Sequence, residues 1–399
     1  MITRILKFGG SSLAGVELIA AAAERVYHLL EGGLRPVVVV SAVSGTTNRL
    51  LSTARRIHPE APGSELDRLL ATGEMQSAAF LAIALAKRGL PSRSFTGPEA
   101  GVITDDDFGR ARVLRVDAAA VTASLEAGEI PVVAGFQGRT EDGRITTLGR
   151  GGTDITAAVL GVHFKAERIV YYRDADGIYG VDPKMLAVRG RRIDRLDYEH
   201  MIDLAEAGVP ILHPQALEIA KAHGLELELR SFREGGGGTL VTEGPIPSPH
   251  PVWSLCLSPP ICLLTLEGLP QDTGTLSRLA ALLDRTDLPL DAALYRGPDE
   301  LCMSIQVPEM DGETLSAQLG DFLREESSVT IGLERNRRRV TMVGHGVSGR
   351  KASTAVEQTG EQLGPPLFTF HGPHHRAFVV PESEASAWLA SLHQLLLKH

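Results

Sequence analysis

The residues best suited to chemistry crowd into one stretch, TTLGRGGTDITAAVLG, at 146–161. Gly149, Arg150, Gly151 and Gly152 come together, Thr153 and Asp154 follow, and an alanine-rich run then reads as a helix. Glycines let backbone approach a ligand because no Cβ intervenes. Thr153 or Asp154 would cap the helix that begins there. A helix N-terminus offers N–H groups and partial positive charge to an anion. Arg150 adds a planar fork suited to a carboxylate or phosphate. Arg150, Gly151, Gly152 and Thr153 are therefore candidate ligands for an anionic substrate. An ordinary glycine-rich turn ahead of a core helix would use the same residue types, so other stretches must decide between the two.

The first is KFGGSS at 7–12, between a strand at 2–8 and a helix from about Gly15 to Leu30, whose apolar face is expected at Val16, Ile19, Ala20, Ala23, Val26, Tyr27 and Leu30. Strand, glycines, hydroxyls and helix is the layout of a phosphate-binding turn. No GxxxxGK[ST] occurs there; instead Lys7 precedes the glycines, where it either reaches over the turn to phosphate oxygens or is a solvated strand end. Next, PVVVVSAVSGTTNRL at 36–50 puts four valines in a strand covered on both faces. It ends in Ser41, Ser44, Gly45, Thr46, Thr47 and Asn48. Ligands of open α/β sheets lie at the carboxyl ends of strands, so these hydroxyls belong near the ligand. The segment 66–89 reads as one helix with Thr72-Gly73-Glu74 in its middle. A glycine there costs about 1 kcal/mol relative to alanine, which implies a packing or ligand reason. Glu74 either holds an ammonium group or is a solvated helix carboxylate.

Those residues need a frame, and 399 residues suffice for two or three domains. Composition is globular, at 43% apolar and 22% charged, with net charge −9. An acidic balance of this kind excludes a nucleic-acid footprint, and the short run Arg335, Arg337, Arg338, Arg339 reads as a solvated strand edge. No continuous apolar run of 18 residues and no secretory h-region are found, so no membrane span or leader is expected. Three cysteines, none in a CxxC pair, fit a reducing cytoplasm and argue against a zinc site or disulfide framework. The histidines include no HExxH, and His371, His374 and His375 read as a surface turn. No protein-built metal site is expected, and a DxDG loop at 174–177 lacks EF-hand spacing.

Strands and helices alternate to about residue 243, which implies a mostly parallel sheet with helices on both faces. GPIPSPHP at 244–251 reads as a linker. Residues 260–334 then read strand, helix, strand, strand, helix, strand, and 337–399 repeat the pattern without its last strand. The unpaired strand VWSLCLS, 252–258, is expected to cross over and complete the second unit. GHGVSG at 344–349 mimics a dinucleotide fingerprint, but the next strand, PLFTFHG, carries no acidic residue to bind a ribose. A tight strand-to-helix turn is the better account.

KFGGSS at 7–12, VVVVSAVSGTTN at 37–48 and GFQGRTEDGRITTLGRGGTDITAA at 135–158 together resemble the aspartate kinase branch of the amino acid kinases. DADGIYGVDP at 174–183 and LHP at 212–214 agree, and the tandem C-terminal units resemble paired ACT domains. The resemblance spans essentially the whole chain. It implies an α/β amino acid kinase domain at 1–243, a linker at 244–251, and two α+β ACT-like (βαββαβ) domains. The first would be 260–335, inserted into a second made of 252–259 and 336–399.

The resemblance also implies a reaction: ATP, with magnesium, phosphorylates L-aspartate to 4-phospho-L-aspartate, the first step toward lysine, threonine and methionine. Lys7, Gly9, Gly10 and Ser11 would hold phosphates, with Lys7 also stabilising the transferring group and Asp154 organising Lys7. Thr47, Glu74 and Arg150, near Ser41, would bind L-aspartate. Arg173, Asp174, Tyr179 and Lys184 would line the nucleotide side. Three positions there depart from the family pattern: Arg173 replaces threonine, Lys184 arginine and Pro210 lysine. LYRGPDELCMS, 294–304, also lacks the hydroxyl-rich ending familiar from feedback-inhibited members. An amino acid effector at the ACT-like units and a homodimer are further implications. A non-hydrolysing amino-acid sensor, or a related kinase with another acceptor, would fit many of the same residues.

Overall fold

The four valines at 37–40 sit at the centre of an eight-stranded sheet. The computed structural model describes every residue except 1–2, 31–32, 182–191, 207–211, 233–236, 245, 247–250, 285, 287, 289, 297–300, 325–328 and 398–399. Contacts divide the chain into two units. One comprises Met1–Ile178, Arg192–Ala205 and Pro210–Pro247; the other comprises Tyr179–Arg191, Glu206–Val209 and Ser248–His399.

The first unit begins with β1 (Thr3–Phe8), a short 3-10 turn (Gly10–Leu13), α1 (Val16–Leu30), β2 (Arg35–Val40), α2 (Thr46–Ile57) and α3 (Gly63–Lys87). β3 (Ser92–Phe95), β4 (Val102–Thr104), β5 (Val113–Val116), α4 (Ala119–Glu126) and β6 (Ile130–Ala134) follow. Then come β7 (Gln137–Arg139), β8 (Ile145–Thr147), α5 (Gly152–His163), β9 (Arg168–Arg173), β10 (Ile178–Tyr179, of which Tyr179 belongs to the second unit) and β11 (Arg192–Ile193). β12 (Arg195–Asp197), α6 (Tyr198–Glu206), α7 (Pro214–Ala222), β13 (Glu226–Ser231) and β14 (Gly238–Thr242) complete the series.

The sheet order is β12-β14-β13-β9-β1-β2-β6-β3. The run from β13 to β3 is parallel, with Lys7 opposite Val39 on one side and Tyr171 on the other. Helices α1 and α3 cover one face through Ala22, Ala23, Val26, Leu81 and Leu85, against Leu6, Phe8, Val38 and Val40. Helix α5 crosses β1, β2 and β9. A small second sheet, β5-β4-β7-β8, ends in the strand that leads to Arg150.

One expectation needs correction here. The inward face of α1 is Ile19, Ala22, Ala23 and Val26, whereas Val16, Ala20 and Tyr27 point outward. The alanine run 20–23 let the helical phase be drawn one position off, because alanine fits either face. Helix α3 spans enough apolar residues to cross a membrane by length and composition, yet it is a core helix. It packs on α1, β3, β6 and β8 and carries Asp67 and Glu74 inside the protein.

The second unit contains β15 (Ser254–Leu257), β16 (Ile261–Leu269), α8 (Thr273–Asp284), β17 (Asp291–Arg296), β18 (Leu301–Pro308) and α9 (Gly312–Phe322). β19 (Thr330–Val343), α10 (Arg350–Leu363), β20 (Phe368–His371), β21 (His375–Pro381) and α11 (Glu382–Leu396) follow. β19 is shared. Its first half pairs with β16, and its second half pairs with β21 on one side and β15 on the other. Asn336, with φ +53°, marks the change of partner. The arginines around it therefore lie within a central strand rather than at an edge, with Arg335 paired to Glu313 and Arg337 to Glu334. Each half buries its own cluster, one around Leu264, Ile305 and Leu319, the other around Met342, Phe378 and Trp388. The glycines of GHGVSG serve packing: a Cβ on Gly344 or Gly346 would fall 2.4 or 2.2 Å from atoms of Pro251. Of the segment 244–251, Gly244, Ile246 and Pro251 are described, and the Ile246 N–H donates to Asp197 Oδ2 at 3.2 Å.

Gly73 shows its reason in the same terms. A Cβ there would stand 2.9 Å from Ala42 Cβ and 3.3 Å from Thr46 Cγ2, so α3 lies directly against the β2–α2 loop. Gly73→Val should therefore lose about 1–3 kcal/mol to overpacking, despite the better helix propensity of valine. Urea denaturation would measure it, and an unchanged midpoint would refute the close approach.

Candidate active site

Alternation along β1 sends Leu6 and Phe8 into the core beneath α1 and α3, so Lys7 faces the other side of the sheet, toward α5. Its Nζ stands 2.7 Å from Asp154 Oδ1, and both side chains are only 11% exposed. Asp154 lies in the first turn of α5. The His213 N–H reaches its Oδ2 at 3.4 Å, and the Tyr171 hydroxyl reaches its backbone carbonyl at 3.5 Å. Burial, reinforced by the Asp154 charge, holds the Tyr171 phenol well above its usual pKa, so it remains a donor. Burial also lowers the His213 pKa, which favours the neutral imidazole.

The turns around this pair are glycine-built because backbones nearly touch. A Cβ at Gly10 would meet Ala42 O at 2.3 Å, and one at Gly135 would meet Thr153 Cγ2 at 2.5 Å. Gly151 has φ +68° and carries the His213 ring where a Cβ would go, at 2.5 Å. Phe136 is held at φ +69°, a costly conformation for a bulky residue, with its N–H on Thr156 Oγ1 at 3.1 Å and its carbonyl accepting from Leu148 N at 2.8 Å.

The expected side-chain cap of α5 is not formed. Gly151 is the N-cap, and the helix starts at Gly152, two residues earlier than a Thr153 cap and three earlier than an Asp154 cap would place it. The N–H groups of Gly152 and Asp154 donate to the carbonyls of Gly149 and Gly151. The helix dipole still points at the site, but fewer amides are open to an anion than the sequence suggested.

Glu74 is a buried carboxylate, 4% exposed, not a solvated one. Its Oε1 accepts the Ala42 N–H at 3.0 Å, while Oε2 has no partner among the described residues. Burial pushes its pKa up to about 7. A buried carboxylate oxygen without a protein partner leaves an acceptor open to a ligand donor or a water.

The remaining predicted residues distribute as follows. Gly9 and Ser11 flank Gly10 after β1, with Gly9 N 3.5 Å from Tyr172 O. Ser41 follows β2, its N–H on Phe8 O at 3.1 Å, and Thr47 is the second residue of α2. Thr153 is buried in the first turn of α5 beside Gly135. Arg150 is exposed, between two left-handed glycines and four residues before Asp154. Arg173 ends β9, with its carbonyl accepting from Phe232 N at 2.7 Å, and exposed Asp174 follows. Tyr179 groups with the second unit, where its carbonyl accepts from Ser254 Oγ at 3.1 Å. Lys184 and Pro210 lie outside the described residues.

Sequence reasoning missed three supports: Asp67, Tyr171 and His213. Asp67 is buried in α3, where it receives the N–H groups of Gly109 and Thr147 and the Thr147 hydroxyl. Burial raises its pKa, and these bonds partly offset the rise. In the sequence Asp67 is one of several charged residues along α3, with Glu65, Arg68 and Glu74, so nothing set it apart. Together, the carboxyl ends of parallel strands present a buried cation–anion pair, close-packed glycine turns and a half-satisfied carboxylate. Such an arrangement suits a phosphate and an acceptor that carries an amino group.

The sequence matches the amino acid kinase family over residues 3–231. It is 35% identical to aspartokinase 2 of Bacillus subtilis over 345 residues, which is 86% of this chain and 84% of that one. It is 32% identical to the aspartokinase of Thermus thermophilus over 399 residues, which is 98% of this chain and 97% of that one. Among solved structures it resembles E. coli aspartokinase III, determined in complex with aspartate and ADP, with TM-score 0.81, 25% identity and 100% of both chains covered.

Lys7→Met would strand the Asp154 charge in a nearly dry site and should cost about 3–5 kcal/mol of stability. Adding Asp154→Asn should recover most of that loss. A double-mutant cycle by chemical denaturation checks it, and additive effects would show that the pair is not energetically coupled.

Proposed function

The chain belongs to the aspartate kinase branch of the amino acid kinase family, and from that premise we propose how its own residues move a phosphoryl group from ATP to L-aspartate. It is a nucleotide-using kinase with a carboxyl group as acceptor. The observation that most supports the following roles is the 2.7 Å Lys7–Asp154 pair at the carboxyl end of the central strand.

The acceptor is a carboxylate, ionised near neutral pH because the ordinary aspartate pKa is about 3.9. No base is needed. Its oxygen forms a bond to the γ-phosphorus as the bond to the bridging oxygen of ADP breaks, giving 4-phospho-L-aspartate. Two anions must be aligned and their repulsion cancelled, which is work for fixed positive charge. Lys7 supplies an ammonium for the transferring oxygens, and Asp154 keeps it from swinging into solvent. Gly9, Gly10 and Ser11 bring backbone and hydroxyl donors to the phosphates. Glu74 receives the substrate ammonium, which gives Oε2 its missing partner. Arg150 takes a carboxylate with Ser41, Thr47 and the Gly151–Thr153 turn around it.

On the nucleotide side we assign Arg173, Asp174, Tyr179 and Lys184. No group of three or more His, Cys, Asp or Glu among the described residues could cage a metal. Magnesium, which usually keeps several waters and rides on substrate phosphates, fits that donor set. Carried on the ATP phosphates near Asp154, it would supply charge neutralisation. We further assign residues 1–243 as the catalytic domain, 260–335 as one ACT-like domain and 252–259 with 336–399 as the other. These two are the place for an amino acid effector and for homodimer contacts.

Incubation with ATP, magnesium and L-aspartate, trapping the acyl phosphate with hydroxylamine, tests the reaction; absence of hydroxamate at high enzyme concentration would overturn it. Lys7→Ala should lower kcat by roughly 10²–10³ while the protein stays folded. The pH dependence tests Glu74 separately. Its pKa of about 7 means that below this pH the carboxyl is neutral and attracts the ammonium less. kcat/KM for aspartate should therefore fall as pH drops through about 7, and Glu74→Gln should flatten that limb and raise the aspartate KM.

A further inference from the structure

Helix α3 carries its two buried carboxylates, Asp67 and Glu74, seven residues apart. Two helical turns put them on one face, about 10 Å apart along the axis. At one end, Glu74 Oε1 takes the Ala42 N–H at 3.0 Å. At the other, Asp67 is 1% exposed and takes three donors. Its Oδ2 accepts Thr147 N at 2.7 Å and Gly109 N at 2.9 Å, and its Oδ1 accepts the Thr147 hydroxyl at 2.8 Å.

Thr147 ends β8, three residues before Arg150. The same point is tied again by Ala111 N, which donates to Thr147 O at 2.8 Å, and Gly149 turns closely over the Gly109 carbonyl. Arg150 itself is exposed and flanked by glycines, which have little conformational preference of their own. Asp67 therefore anchors the base of a loop that its own sequence leaves loose.

We infer that Asp67 is a positioning residue: by pinning Thr147 to the helix that carries Glu74, it sets the separation between the ammonium acceptor and the Arg150 fork, and so the fit of the amino acid acceptor between them. The inference rests on the roles proposed for Glu74 and Arg150. It concerns a residue that touches neither substrate, and it predicts an effect on the acceptor side alone. Removal of the anchor lets the fork drift, and displacements of about 1 Å at a reacting site cost up to about 10²-fold.

The test compares Asp67→Ala, Asp67→Asn, Thr147→Val and Arg150→Ala in steady-state kinetics with L-aspartate and ATP, alongside thermal melts. Asp67→Ala should raise the aspartate KM about tenfold or more and leave the ATP KM within about twofold. Asp67→Asn should recover most of the loss, because its amide oxygen can take both N–H groups while its NH₂ donates to the Thr147 hydroxyl. Thr147→Val removes one bond of three and should raise the aspartate KM about threefold. If Asp67→Ala does not fold, Asp67→Asn and Thr147→Val decide. An unchanged aspartate KM in Thr147→Val would then overturn the inference, as would equal shifts in both KM values in any folded variant. If Arg150→Ala leaves the aspartate KM unchanged, the role of Arg150 itself falls. If Arg150→Ala raises it while Asp67→Ala does not, only the anchoring role falls.

Discussion

An ammonium and a carboxylate 2.7 Å apart, both nearly out of water, set the conditions that the surrounding unit must meet. A buried pair repays its desolvation only with good geometry and further hydrogen bonds. β1 must therefore be an interior strand, flanked by β2 and β9, so that Lys7 cannot swing sideways. Helix α5 must cross the face opposite α1 and α3 and begin level with the end of β1. Tyr171 and the His213 amide then complete the shell of Asp154 from a neighbouring strand and from the start of α7. Each of these elements would fold in many other proteins; the pair is what requires them in this arrangement.

Close approach is the second constraint. The loops after β1, β2 and β6 and the turn before α5 are packed so that Cβ atoms at Gly10, Gly135 or Gly151 would collide with neighbouring atoms, and one at Gly73 would press α3 off the β2–α2 loop. Backbone donors can crowd a phosphate only if side chains are removed from the crowding atoms. Phe136, a bulky residue held in the left-handed region between these loops, bears strain there. The three donors on Asp67 do comparable service, replacing stiffness that the glycines give up.

The second unit solves a different problem. Each half, four strands of a shared seven-stranded sheet with two helices, buries a cluster of its own, and a smaller cluster of Ile261, Leu263 and Val379 draws on both halves. β19, 14 residues long, belongs to both halves, and β15 reaches the second half from a position in the chain before the first. Repeated helix and strand periods revealed two similar units. That one strand would run through both, and carry Arg335 to Arg339 in its centre, depends on pairings between residues far apart in sequence.

Much was legible in advance. The parallel sheet followed from the four valines and the strand–helix alternation, and the lysine, the arginine among glycines and the hydroxyls after β2 could be named because their types are chemically unusual at strand ends. Phase and depth were harder to read. Alanine at 20–23 fits either face of α1, so its outward side was misjudged, and the start of α5 was set two or three residues late because a turn of glycines gives no cap signal. Glu74 and Asp67 look like any helix carboxylates in the sequence. The sequence alone determined which groups carry charge and where the chain must bend, since these are properties of single residues and their neighbours. Tertiary structure decided which charges leave water and which partners they meet, because burial and a 2.7 Å contact between residues 7 and 154 arise only when distant segments pack.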